Sequence, residues 1–178
     1  CGCHGCNFCP SPRAVSDQNI WYFSAPSKFT GNFMVAYGGT LEFTLGAFTS
    51  DVNELNQDLH LVEIECKTCD FNRGKRIAFP VSSLAQALDG ETTTIKLGLR
   101  ETDGWLLDPK NVLLSWTKPS TCDMIQVLAG ISSLRILGDF TRWYETIGLD
   151  NVALRNDKSK LPLCAQRTAD ISLCNCGY

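Results

Sequence analysis

Thr40-Leu41-Glu42-Phe43-Thr44-Leu45 sets polar and apolar side chains strictly in turn. A period of two places Leu41, Phe43 and Leu45 on one side of an extended chain and Thr40, Glu42 and Thr44 on the other, the pattern of a strand lying on a core. The stretch 94–100 repeats it, with Ile95, Leu97 and Leu99 alternating against Thr94, Lys96 and Arg100. Working outward, further strands are expected at 33–36, 59–66, 77–79, 112–116, 134–136 and 152–154. Turn chemistry separates them at Gly38-Gly39, Asn72-Arg73-Gly74, Asp89-Gly90 and Asp103-Gly104. Many short strands with frequent turns predict an all-β chain folded as a β-sandwich. Met124, Val127, Leu128 and Ile131 fall instead at helical spacing behind Thr121, an expected N-cap, and a second short helix is expected near 82–88.

The 178 residues are 44% hydrophobic, 20% charged and 10% aromatic, the make-up of one globular domain with a sizeable core. A formal charge of -3 excludes whole-domain attraction to nucleic acid, because such binding depends on clustered Lys and Arg neutralising phosphates. A polyanion site has to be local. There is no apolar run of the roughly 18 to 20 residues a bilayer span needs, so direct membrane insertion is not expected.

Ten cysteines are too many for a reducing compartment and point to disulfides in a secreted protein. Four lie at one end (Cys1, Cys3, Cys6, Cys9), three in the body (Cys66, Cys69, Cys122) and three at the other end (Cys164, Cys174, Cys176). With three in the body, full pairing requires at least one bond from body to flank. Cys66 and Cys69 could close a small loop, or one of them could reach Cys122 or a flank. The expected organisation is a cysteine-rich segment at 1–14, the sandwich at 15–160 and a second cysteine-rich segment at 161–178. The first residue already lies inside a cysteine cluster, so neighbouring modules are expected on both sides.

Trp21-Tyr22-Phe23-Ser24-Ala25-Pro26-Ser27-Lys28-Phe29, then Gly31-Asn32, then Ala36-Tyr37-Gly38-Gly39-Thr40-Leu41-Glu42-Phe43, resembles the opening of the laminin IV domain. Later segments match in order: 97–101 with Trp105, 131–136, and Leu149-Asp150-Asn151-Val152-Ala153-Leu154. The resemblance covers roughly 18–155, and the tail Cys174-Asn175-Cys176-Gly177-Tyr178 resembles part of a laminin-type EGF-like repeat. It implies a jelly-roll-like β-sandwich with disulfide-rich, irregular termini, used in extracellular matrix and cell-surface proteins, basement membrane among them. It implies no catalysis. Its implied role is to space and orient EGF-like modules and to offer matrix or cell-surface proteins an interaction surface. The alternative is a carbohydrate-binding module for extracellular glycans. Cys66-x-x-Cys69 and Cys122 depart from the family pattern.

Several residues were candidates for chemistry. Cys3-x-x-Cys6-x-x-Cys9 with His4, joined by Cys66 and Cys69, has spacing that zinc accepts, but disulfides fit the same residues in an oxidising compartment. Glu63 and Glu65 share one face of an expected strand and Glu42 is another strand carboxylate; a solvated sheet face accounts for all three better than the paired carboxylates of a glycosidase. Lys67, Arg73, Lys75 and Arg76 form the densest basic stretch, either a sulfated-polysaccharide site or a solvated loop. Of Trp21, Trp105, Trp116 and Trp143, at least three are expected in the core. Trp105, after Asp103-Gly104, is the expected exception and sugar platform. Asp150 is the candidate ligand of a structural calcium ion, set against Asp150-Asn151 as ordinary turn residues. No other cofactor is expected.

Overall fold

The computed structural model describes residues 20–49, 59–84, 92–140 and 146–157. Among them are eight strands: β1 (Tyr22–Ser24), β2 (Thr40–Thr49), β3 (His60–Cys66), β4 (Lys75–Pro80), β5 (Thr92–Gly98), β6 (Leu106–Leu107), β7 (Ser133–Leu137) and β8 (Thr146–Arg155). The five-stranded sheet runs β1-β7-β3-β4-β6 and the three-stranded sheet β5-β2-β8, with every pairing antiparallel.

The alternation that opens the reading explains the packing. Leu41, Phe43 and Leu45 of β2 and Ile95 and Leu97 of β5 turn inward from the smaller sheet. Val62, Ile64, Ile77, Leu134 and Ile136 turn inward from the larger one, and all share one buried cluster. Burying that apolar surface between two layers is the main stabilising term of an all-β sandwich. Helix α2 (Thr121–Ala129) closes one end of the core with Met124, Ile125, Val127 and Leu128 buried. Its N-cap is Ser120, one residue before the expected Thr121. Ser120 Oγ accepts from the Asp123 amide, and the Asp123 carboxylate accepts from the Ser120 amide. Ile131 lies past the helix, bridged to Gly31.

Two expected strands are corrected. Residues 33–36 form a 3-10 turn (Met34–Ala36), because Asn32 Oδ1 accepts from the Met34 amide at 3.0 Å and draws the backbone into a turn. Residues 112–116 lie in a loop between Leu107 and its bridge partner Thr117. There Asp108 Oδ1 accepts from the Lys110 amide at 2.7 Å and Asn111 Oδ1 from the Leu113 amide at 3.0 Å. These side chains compete with a ladder for the backbone donors. The short helix expected near 82–88 is a 3-10 turn (Val81–Ser83) where the chain is described, and 85–91 lie outside the described residues. The strand expected at 152–154 is the end of the ten-residue β8.

Gly39 lies where the chain leaves β8. A Cβ there would overlap the Arg155 carbonyl, so only glycine lets the two backbones meet.

Candidate functional site: the outer face of the larger sheet

Strand β3 sends Glu63 to the face opposite Val62 and Ile64, where register sets it beside Arg135 of β7 and Ala78 of β4. Glu63 is only 7% exposed. The solvated reading of this carboxylate is therefore corrected: three cationic or polar neighbours cover it. Arg135 Nη2 lies at 2.5 Å, Arg76 Nη1 at 3.7 Å and His60 Nδ1 at 3.3 Å. Burial alone would raise its pKa, but the His60 hydrogen bond and the two guanidinium groups more than offset that and hold it below 4.5. Arg76 turns its Nε and Nη2 to Asp108 Oδ2 at 2.8 and 2.5 Å.

Aromatic rings flank these charges. The Trp116 ring lies 4.3 Å from His60 and 5.2 Å from the Arg76 guanidinium, and Arg135 sits 5.5 Å over Tyr22. Burial, and next the Glu63 charge, push the Tyr22 hydroxyl up to about 12. Each guanidinium is thus sandwiched between carboxylate and ring. Held ionised between two arginines, Glu63 is the opposite of the raised-pKa acid that glycoside hydrolysis uses.

Beyond Arg76 the surface turns apolar. Val112, Leu113 and Leu114 are 101%, 88% and 57% exposed. The four-residue α1 turn (Cys69–Asn72) lies alongside, tied to this loop by Lys110 Nζ to Asp70 Oδ2 at 3.3 Å. Asp70, Phe71 and Asn72 all have left-handed backbone (φ 52°, 52° and 64°), and Phe71 stands 76% exposed. The Cys66–Cys69 disulfide spans the base of the turn. Sequence reading missed this apolar surface because it assigned 112–116 to a strand. The run of three adjacent apolar residues, with no alternation, was the available signal.

The remaining candidates are dispersed. Trp105 is 0% exposed, which overturns its reading as a sugar platform: its Nε1 donates to the Gly98 carbonyl at 2.6 Å and its ring meets Phe79 edge-on at 5.5 Å. Trp21 is 39% exposed and Trp116 half-buried, so the expectation of at least three core tryptophans is overturned as well; Trp143 lies outside the described residues. The basic stretch splits. Lys75 turns to Asp123 and Gln126 at 2.5 and 2.7 Å and Arg76 joins the Glu63 cluster, while Lys67 and Arg73 remain exposed. Glu65 is half-buried. Glu42 pairs with Arg155 and Lys96 on the outer face of the smaller sheet. Asp150 is exposed on β8 and accepts from the Asn151 amide at 2.7 Å within a bulge where Asn151 is left-handed (φ 55°). No cluster of three His, Cys, Asp or Glu surrounds it among the described residues. Cys66 and Cys69 are spent on one another and cannot ligate zinc. Cys122 on α2 is also disulfide-bonded. The remaining seven cysteines and His4 lie outside the described residues.

An antiparallel two-sheet body, with Glu63 covered by Arg135, Arg76 and His60 on its outer face and Phe71 and Val112–Leu114 exposed among the described residues, defines a β-sandwich module. The Laminin B (Domain IV) family profile matches residues 22–161. The chain belongs to that family. Among solved structures it is similar to the L4b domain of human laminin alpha-2, at 17% identity and TM-score 0.59, over 76% of this chain and 70% of that one. That likeness supports the fold. No curated protein matches the chain.

Proposed function

We propose that this chain is a non-catalytic structural and adhesion module of a secreted matrix or cell-surface protein. It spaces and orients EGF-like neighbours attached through the cysteine-rich segments 1–14 and 161–178, with the sandwich at 15–160. The observation that carries the reading is the family match over the two-sheet body. No helix of the described residues is long and apolar enough to cross a membrane. The apolar surface of Phe71 and Val112–Leu114 is the part that meets a matrix protein, since large exposed apolar side chains held together on a folded surface mark interaction sites.

Small-angle scattering of the secreted chain carrying one further module at each end tests the spacer role. The expected result is a single fixed maximum dimension, unchanged by salt. A broad distribution, as for modules on slack linkers, would overturn it. In the same material, Leu113→Asp should leave the melting temperature unchanged and lower cell adhesion to the immobilised module at least fivefold. Equal adhesion would remove this surface from the proposal.

A further inference from the structure

A sheet ends in strands whose outer backbone groups lack a ladder partner, and folded chains blunt such edges by keeping them short or bulged. Three of the four edge strands among the described residues are treated so. β1 has three residues, and β6 has two and leads to the bridge between Leu107 and Thr117. β8 is broken by two register shifts against β2, at one of which Asn151 takes a left-handed backbone. β5 differs: its seven residues run against β2 from Gly46↔Thr92 to Thr40↔Gly98 without a shift.

The bonds at the end of β5 tell which of its backbone groups face outward. The Leu99 amide donates to the Gly39 carbonyl, and the Leu99 carbonyl accepts from the Gly38 amide, so Leu99 faces the β2 side. In an antiparallel ladder this direction alternates, which turns the backbone groups of Leu97, Ile95 and Thr93 to β2 and those of Gly98, Lys96 and Thr94 away from it. On that outer side Trp105 Nε1 donates to the Gly98 carbonyl at 2.6 Å. Trp105 therefore stands in for a neighbouring strand at Gly98 alone. The amides and carbonyls of Lys96 and Thr94 have no ladder partner on the outer side among the described residues. Beside them a groove of about 460 Å³ opens between β5 and the Val81–Ser83 turn, with Phe79, Leu84 and Leu97 in its apolar wall and Ser83 in its lining. On the outer face of the sheet, Lys96 and Arg155 share the single carboxylate of Glu42.

We propose that the outer edge of β5 takes an extended segment of a partner protein as a fourth strand of the smaller sheet. Donors and acceptors alternating at strand spacing are matched by another extended backbone, which brings its own in the complementary order. The side chains that the segment turns inward are aliphatic, because they enter the groove against Phe79 and Leu84. Those it turns outward are acidic, because two cations there share one carboxylate. A second copy of β5 would bring another Lys96 to the same face, so charge selects a different chain. The site lies on the smaller sheet and rests neither on the spacer role nor on the Val112–Leu114 surface.

The test titrates the full chain with a blocked peptide in which glutamate and valine alternate, and follows amide hydrogen exchange. The peptide should slow exchange at Thr94 and Lys96 and leave the β8 amides at their rates in the free chain. Thr94→Pro removes an outward amide that the β2 ladder does not use, a place where an edge strand tolerates proline, and should weaken binding about tenfold. Ser83→Trp fills the groove from an exposed position and should abolish binding with the melting temperature unchanged. Leu113→Asp should bind the peptide as the natural chain does, so this site and the adhesive surface fail separately. Unslowed exchange at Thr94 and Lys96, full binding by Ser83→Trp, or self-association of the chain in place of peptide binding overturns the proposal.

Discussion

Trp105 follows Asp103-Gly104, a pair that reads as an exposed turn, yet its ring is wholly enclosed. The turn is what carries the ring inward. Asp103 Oδ2 accepts from the Arg100 amide at 3.0 Å and tightens the loop, and the indole then finds the Gly98 carbonyl. Trp105→Phe removes that donor, leaves a carbonyl unmatched and opens a void beside Phe79. The expected cost is about 2 kcal/mol, seen as a fall of about 4–8 °C in a melting scan. An unchanged midpoint would show that the indole nitrogen carries no stability. Glu63 teaches the same lesson. Its alternation placed it on the outer face correctly, but the arginines and His60 that bury it come from β4, β7 and its own strand, and no local pattern announces them.

Among the elements, the strands with strict alternation, β2 and β5, were legible because their side chains face two different media. Helix α2 was legible from its apolar spacing, and its cap was displaced by one residue because Ser120 and Thr121 are both competent and only Ser120 is three residues before Asp123. Ser120→Ala removes one half of the reciprocal cap and frees Asp123 from its hydroxyl. The expected loss is about 1 kcal/mol, measurable by urea unfolding as a lower midpoint at unchanged slope. A midpoint equal to the natural chain's would mean that the Lys75 to Asp123 pair alone holds the first turn. The 112–116 loop was illegible for a reason of the same kind: Asp108 and Asn111 satisfy backbone donors locally, and β-propensity gives way to that.

The charge distribution of the whole molecule predicts its pH response. Asp123 is held below 3.8, and Glu63 and Glu101 below 4.5: burial opposes ionisation in each, and hydrogen bonds from Lys75 and Ser120, His60 and the arginines, and Tyr37 and Thr121 outweigh it. A carboxyl whose folded pKa is depressed contributes stability above its unfolded value and loses it as pH falls through the folded one. Tyr22 and Tyr37 are raised from 10.0 to about 12. Their contribution is complete below pH 10 and fades between 10 and 12. The melting temperature should therefore hold level from about pH 5 to 9 and drop on both sides. Equal midpoints at pH 3 and pH 7 would contradict the ionised Glu63 cluster.

The order of apolar and polar side chains by itself determined that the chain is all-β with a short helix behind Thr121, and the count of three body cysteines required a bond to a flank if all are paired. Those follow from periodicity and parity, which are properties of a string. Which ring is buried and which carboxylate is neutralised were decided only when β1, β7, β3 and β4 came into register. Such contacts join residues tens of positions apart, and their partners are selected by the geometry of two packed sheets.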